Sequence, residues 1–159
     1  MKKKILLGMS GGIDSSVSAI LLQKQGYEVI GCTMELWGMN TCCMSQAIYD
    51  AKKVCEQLGI PHYTIDCKNE FKSKVVDNFI QEYKEARTPN PCVECNRYLK
   101  FGVFYKKAKE LACDYIATGH YASIEFSNKY QQYVLKKSKE GDKDQTYFLY
   151  TIPKQRLKD

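Results

Sequence analysis

Two rhythms of apolar and polar positions alternate along this chain. An apolar run over Lys3 to Met9 predicts a buried strand. Ile13, Val17, Ile20, Leu21 and Lys24 then fall at helical spacing and predict a helix with one apolar face, ended by Gly26. Glu28 to Met34 reads as a second strand, running on to Glu35-Leu36-Trp37, and Gly38 to Cys43 as a loop. Ala47, Ile48, Ala51, Val54, Cys55 and Leu58 mark a second helix, stopped by Gly59. Pro61 leads into a third strand, His62 to Asp66, and Phe71, Val75, Phe79, Ile80 and Tyr83 mark a third helix. Thr88-Pro89-Asn90-Pro91 breaks the pattern, because proline suits neither a helix interior nor a central strand. Tyr98, Phe101, Phe104, Ala108 and Leu111 mark a further helix, Tyr115 to Thr118 a fourth strand, and Tyr130 to Lys136 a fifth.

Strands separated by helices imply parallel βαβ units. Ligands in such sheets bind outside the carboxyl ends of the strands. The segment after strand one, Met34, the end of strand three and Gly119 would all lie on that rim.

Composition narrows the class. The chain has 159 residues, enough for one domain with a single core, and 44% are hydrophobic, ordinary for a globular protein. No run approaches the length of a membrane span, and Ile5 to Met9 is too short for a signal-peptide core, so the expectation is a cytoplasmic protein with no membrane partner. The net charge of +6 is a moderate footprint for an anionic partner such as RNA, spread over dispersed lysines. Eight cysteines in a chain of this kind argue against a disulfide framework.

Two segments carry candidate chemistry. The first is Gly8-Met9-Ser10-Gly11-Gly12-Ile13-Asp14-Ser15-Ser16, a glycine turn opening a helix directly after a strand. A helix N-terminus offers unpaired N–H groups and positive potential to an anion. No lysine follows Gly12, which excludes a Walker A loop, and the dinucleotide spacing Gly-x-Gly-x-x-Gly is absent. A plain strand–turn–helix corner is the alternative. The second segment holds Cys92 and Cys95, three apart on the proline-broken loop, able to share a metal or form a redox pair. Cys95 precedes the helix marked by Tyr98 to Leu111, whose dipole would favour its thiolate. No second Cys-x-x-Cys completes a zinc ribbon. Cys32, Cys55, Cys67 and Cys113 fall in strands, on an apolar helix face or at element junctions, where packing is the simpler reading. Trp37 and the twelve tyrosines could stack on bases, but core and surface positions account for most of them.

The Ser-Gly-Gly-x-Asp-Ser run resembles the PP-loop of ATP pyrophosphatases, which cleave ATP to AMP and pyrophosphate while activating an oxygen. Over nearly its whole length the chain resembles the N-terminal catalytic domain of the tRNA 2-thiouridylase (MnmA) family. The matching residues are Gly8 to Ser16, Asp50-Ala51, Leu58-Gly59-Ile60-Pro61, Thr88 to Asn96, Lys100-Phe101, Ala117 to Ala122 and Lys143-Asp144-Gln145. The resemblance implies a three-layer α/β fold with a doubly wound parallel sheet, of the adenine nucleotide alpha hydrolase-like class. It implies thiolation of the tRNA wobble uridine: ATP adenylates the 2-carbonyl oxygen, and sulfur then displaces AMP.

By the same resemblance, Gly8, Met9, Ser10, Gly11, Gly12, Ile13, Asp14 and Ser15 form the ATP loop, with Asp14 helping to hold Mg2+. Met34 and Gly119 make further ATP contacts. Asn90, Pro91 and Cys92 meet the target base, Lys143, Asp144 and Gln145 contact tRNA, and Cys95 is the catalytic cysteine. His120, next to Gly119, could touch phosphate or serve beside the rim; His62 is the other histidine. Cys92 stands where many members carry Asp. That resembles the Cys-x-x-Cys branch, in which Cys92, Cys95 and a third cysteine would hold a 4Fe–4S cluster; a persulfide on Cys95 is the other route. The sulfur donor would be a cysteine desulfurase, a relay protein or sulfide. The family's third cysteine lies past Gln145 and beyond residue 159, with Cys42 and Cys43 as weaker substitutes. Residues 1–159 therefore read as a PP-loop catalytic domain incomplete at its C-terminus, without the central and C-terminal β-rich domains, and Tyr147 to Asp159 as the opening of a helical segment. Alternatives are another adenylating PP-loop enzyme (a 4-thiouridine synthase or an amide-forming ligase) or a fragment that binds ATP or RNA without turnover.

Overall fold

The computed structural model describes residues 2–36, 42–139 and 141–159, with the side chains of residues 42–45 outside the description. Four strands, β1 (Lys4–Gly8), β2 (Glu28–Glu35), β3 (His62–Asp66) and β4 (Tyr115–Ala117), form one parallel sheet in the order β3-β2-β1-β4. Ile5 sits between Val29 and Tyr115 in register. Strands covered on both faces must be apolar throughout, which explains the unbroken run Ile5-Leu6-Leu7. Alternate residues serve opposite faces. Leu7, Val29 and the following Met9 pack with Ala19 of α1 (Ile13–Lys24) and with Ala51 and Cys55 of α2 (Cys42–Leu58). Leu6, Ile30 and Cys32 pack on the other face against Phe104, Ala108 and Cys113. The result is three layers.

The helix α1 departs from expectation. Its apolar stripe faces outward: Ile13, Val17, Ile20 and Leu21 are 81%, 46%, 39% and 52% exposed. Ser15 and Ala19 are its buried positions. Small side chains let the helix axis approach the sheet closely, and that rotates the larger residues away.

The opposite layer is built from two long helical runs. Residues 68–84 comprise α3 (Lys68–Phe71), a π-helical stretch (Lys72–Val76) and α4 (Asp77–Lys84). Residues 91–110 comprise α5 (Pro91–Glu94), a second π-helical stretch (Cys95–Val103) and α6 (Phe104–Glu110). The second run starts earlier than the apolar spacing predicts. Asn90 Oδ1 accepts the Val93 N–H at 3.2 Å, and Pro91 takes the first helical position, where its missing N–H costs nothing. The two prolines bracket a helix start as well as a loop.

Tyr130 to Lys136 is not a fifth strand of the parallel sheet. β6 (Gln132–Lys137) pairs antiparallel with β5 (Ala122–Ser127) in a separate hairpin. Only residues 128–131 join them, too few for the crossover that parallel pairing needs. Ala122 and Leu135 of this hairpin rest against Phe101, Leu149 and Ile152. The C-terminal residues form short 3₁₀ turns, Thr146–Leu149 and Lys154–Arg156, rather than one continuous helix. The expected loop Gly38 to Cys43 and Trp37 lie largely outside the described residues; Cys42 and Cys43 already belong to the backbone of α2. Among the described residues no helix is long and apolar enough to cross a membrane.

The strand order fixes where a ligand fits. β1 lies between β2 and β4, so the chain leaves β1 toward one side of the sheet and leaves β4 from the other. The loops after β1 and β4 border a crevice at the carboxyl rim there.

Candidate active site

The β1–α1 loop is shaped by its own polar groups. Gly11 adopts φ +79°, and a Cβ there would lie 2.7 Å from the Ala47 carbonyl oxygen of α2. Only glycine meets both demands. Ser15, 3% exposed, donates to the Gly12 carbonyl at 3.0 Å, and its hydroxyl accepts the Ser10 N–H at 3.3 Å. Ser16 Oγ donates to the same carbonyl at 2.9 Å. Gly12 occupies the N-cap of α1 and offers no side chain to its first-turn amides. Those N–H groups stay available to an anion.

The facing wall comes from the end of β4. Gly119 lies against the start of α1; a Cβ built on it would be 3.7 Å from the Ser15 nitrogen. The Tyr121 hydroxyl donates to Asp14 Oδ1 at 3.0 Å, tying the two loops together. Gln145 clamps the same loop: its Oε1 accepts the Tyr121 N–H and its own N–H bonds the Tyr121 carbonyl, both at 2.9 Å. Between the walls is a cavity of about 260 Å3. Its lining includes Gly8, Met9, Ser10, Asp14, Ser15, Met34 and Gly119, seven residues of the sequence-predicted ATP set. Gln145, expected at tRNA, lines it too, whereas Gly11, Gly12 and Ile13 do not.

Also lining the cavity, Thr118 Oγ1 lies 2.8 Å from His120 Nδ1, and Lys100 Nζ lies 3.2 Å from His120 Nε2. An ammonium can only donate, so Nε2 accepts and Nδ1–H donates to Thr118. Burial, reinforced by the Lys100 charge, lowers the His120 pKa to about 4, which keeps the imidazole neutral at pH 7. His62 is a packing histidine: Thr33 Oγ1 donates to the Met9 carbonyl at 2.9 Å and accepts from His62 Nε2 at 2.9 Å.

Cys95 packs with Met34, Leu36 and Ile65 against the Cys67, Val75 and Leu99 cluster. It therefore stands on the carboxyl rim, and Met34 belongs both to its surroundings and to the cavity. Its expected place at a helix N-terminus is wrong. Cys95 lies inside the helical run 91–110, and Cys92 occupies the first turn. Burial pushes the Cys95 thiol up, Lys100 opposes that, and Cys92 adds to it. Cys92 is exposed. Among the described residues no three His, Cys, Asp or Glu side chains are placed to hold a metal ion. Cys32, Cys55, Cys67 and Cys113 are buried, as their pattern predicts.

The residues expected at tRNA divide by environment. Asn90 caps the helix of Cys92. Asp144 organises its own loop, accepting the Ser138 and Thr146 N–H groups at 2.6 and 3.2 Å, and hydrogen bonds led by Thr146 hold its carboxyl below the usual range. Lys143 is exposed, with its ammonium 5.3 Å from the Tyr121 ring centroid. Sequence reasoning gave no role to Lys100, Thr118 or Tyr121, although each falls inside a segment quoted for the resemblance. The spacing Thr118-x-His120 at a strand end was the available signal.

The family model described as the tRNA methyl transferase HUP domain matches residues 3–159. The chain is 51% identical over 164 residues to the tRNA-specific 2-thiouridylase MnmA of Clostridioides difficile (strain 630), covering 99% of this chain and 45% of that protein. It is 52% identical over 160 residues to the protein of the same description from Clostridium kluyveri, covering 96% and 44%. The chain thus spans less than half the length of these curated relatives. Among solved structures it resembles the U34-tRNA thiolase NcsA from Methanococcus maripaludis, described with its 4Fe–4S cluster, at TM-score 0.51 and 27% identity, covering 74% of this chain and 38% of that one. It shares a fold with the glutamine-dependent NAD+ synthetase of Acinetobacter baumannii, at TM-score 0.52 and 15% identity, covering 72% and 21%.

Proposed function

Because this chain belongs to the tRNA methyl transferase HUP-domain family, we propose that it is the ATP-binding, adenylating domain of a tRNA uridine 2-sulfurtransferase. One observation carries the reading. A cavity at the switch point of the sheet joins the Ser10–Ser15 loop to Gly119, with Cys95 on the same rim.

The chemistry is a two-step replacement of oxygen by sulfur. The uridine 2-oxygen attacks the α-phosphorus of ATP, and pyrophosphate leaves with its electron pair. A carbonyl oxygen is a poor leaving group; as an adenylate it departs as AMP. Sulfide from a sulfur donor then adds at C2 and AMP is expelled. Where the sulfur arrives instead as the outer atom of a persulfide on Cys95, its addition expels AMP, and a second thiol then attacks Cys95 Sγ so that the S–S bond breaks. The disulfide left behind is reduced by an external thiol before the next turnover. The first-turn amides of α1 and the Ser10 hydroxyl would receive the phosphates, where preorganised donors cost no reorganisation. Asp14 is the one carboxylate among the described cavity residues, and Mg2+, which favours one or two carboxylates plus phosphate oxygens, suits it. Such an ion would neutralise charge on the departing pyrophosphate. Asn90, Pro91 and Cys92 would meet the target base, Lys143 would reach tRNA phosphate, and Cys95 would serve as the sulfur-transfer thiol.

A 4Fe–4S cluster, present in the NcsA neighbour, needs at least three thiolates here; Cys92 and Cys95 share one helix and the fully buried Cys67 packs with Cys95, but among the described residues no three such side chains are placed to hold a metal. No step is assigned to it.

The test replaces the matching segment of the Clostridioides difficile relative with this chain. The chimera, given ATP, magnesium, a sulfur donor and substrate tRNA, is expected to form 2-thiouridine, read by nucleoside mass spectrometry. Changing Cys95→Ser should abolish it. A folded chimera that makes none while the parent relative does would contradict the reading.

A further inference from the structure

The cavity lacks an obvious counter-charge for a polyphosphate. Between Lys4 and Lys24 the sequence contains no lysine or arginine, so the β1–α1 loop supplies amides and hydroxyls but no fixed positive side chain. Among the described residues lining the cavity, the one cationic side chain is Lys100, reaching in from the helical layer on the opposite face of the sheet.

Three features fit Lys100 to an anion. No carboxylate among the described residues pairs with it, and its side-chain partner is the ring nitrogen of His120 at 3.2 Å. That partner is aimed, because Thr118 holds the other ring nitrogen at 2.8 Å. A neutral imidazole orients an ammonium without cancelling its charge, which a carboxylate in the same place would do. Finally, Lys100 lies in the π-helical stretch Cys95–Val103. An α-helix sets residues five apart on nearly opposite faces, whereas i→i+5 hydrogen bonding stacks them, so the π stretch turns Lys100 toward the side of the helix that carries Cys95.

We propose that Lys100 is the phosphate-binding cation of this cavity, aimed at the nucleotide by the Thr118–His120 pair. The assignment rests on the nucleotide reading of the site and adds to it a residue from outside the loop. Lys100 supplies in trans to the loop the charge that a Walker A lysine supplies within it.

The experiment titrates the chain with ATP and with adenosine, by calorimetry and saturation-transfer NMR respectively. Lys100→Met keeps the length of the side chain and removes the charge. The expected result is an ATP affinity about 10- to 100-fold lower with adenosine affinity within about twofold, since a charge-assisted hydrogen bond is lost and the base contacts are kept. Lys100→Arg should recover part of the ATP affinity, and the salt dependence of ATP binding should be shallower in Lys100→Met. Adenosine binding doubles as the check on folding; if Lys100→Met unfolds, Lys100→Gln is read the same way. An unchanged ratio of ATP to adenosine affinity would overturn the assignment alone. Failure of the unaltered chain to bind ATP would overturn the nucleotide reading and the assignment with it.

Discussion

Replacing Gly11 by alanine should damage the chain in two separable ways. At φ +79° an L-residue pays a backbone penalty of about 1–2 kcal/mol. The added methyl would also sit 2.7 Å from the Ala47 carbonyl oxygen, a backbone atom that cannot swing aside. Relieving that contact moves the loop or the start of α2, and overpacking of this kind costs about 1–3 kcal/mol. Together the change should destabilise by about 2–5 kcal/mol, lowering the midpoint of thermal unfolding by roughly 4–20 °C for a chain of this size. Gly26 is the control. It has φ +89° but nothing within 4 Å of its built Cβ, so Gly26→Ala should show the backbone penalty alone, about 1–2 kcal/mol. Urea unfolding of the two variants measures the difference directly. ATP affinity should fall in Gly11→Ala and not in Gly26→Ala, because only the first displaces the anion loop. If Gly11→Ala costs no more than Gly26→Ala, the contact with Ala47 does not constrain the loop and the reasoning fails.

Two further outcomes follow from titration and burial. The folded-state pKa of His120 lies near 4, against about 6.5 when unfolded. Between those values the unfolded chain binds a proton that the folded chain refuses, so this residue's contribution is present above pH 6.5 and is lost as the pH falls to 4. The stability difference between pH 7 and pH 4.5 should shrink by about 2 kcal/mol in His120→Gln, measured by urea unfolding at each pH; an unchanged difference would mean the imidazole is not held neutral. In native-state alkylation, Cys92 should label first, Cys95 more slowly, and Cys32, Cys55 and Cys67 last, since burial pushes these three up to about 12, 11 and 11. Peptide mass spectrometry reads the order, and early labelling of Cys67 would contradict the packing described around it.

Local signals carried much of this structure. The four parallel strands were legible because buried strands leave continuous apolar runs, and the helices between them because capping and spacing are local. The glycine turn after β1 was legible because special residues are needed wherever backbone takes a positive φ or passes close to another element. What escaped depended on packing between distant elements. The apolar stripe of α1 predicted a buried face, but Ser15 and Ala19, which are uninformative to a periodicity argument, set the contact with the sheet. Cys95 looked like the residue before a helix because Pro91 was read as a breaker, when the Asn90 cap makes it a starter. The hairpin of β5 and β6 was half visible, since β5 carries no strong turn signal before it. Thr118 and His120 are two residues apart at a strand end and could be read as a pair, but Lys100 meets them only through the fold, from 20 residues away on another element, so no spacing rule could have joined it to them.

The central claim is that ATP is spent on activating the uridine 2-carbonyl oxygen. Substrate tRNA carrying oxygen-18 at that position tests it most directly, with the chimera of this chain and its relative as enzyme and mass spectrometry of the released nucleotide as readout. The account predicts that each 2-thiouridine formed is matched by one AMP carrying the label in its phosphate, with unlabelled pyrophosphate. Label appearing in water or remaining in the tRNA, or release of ADP and phosphate in place of AMP, would contradict it.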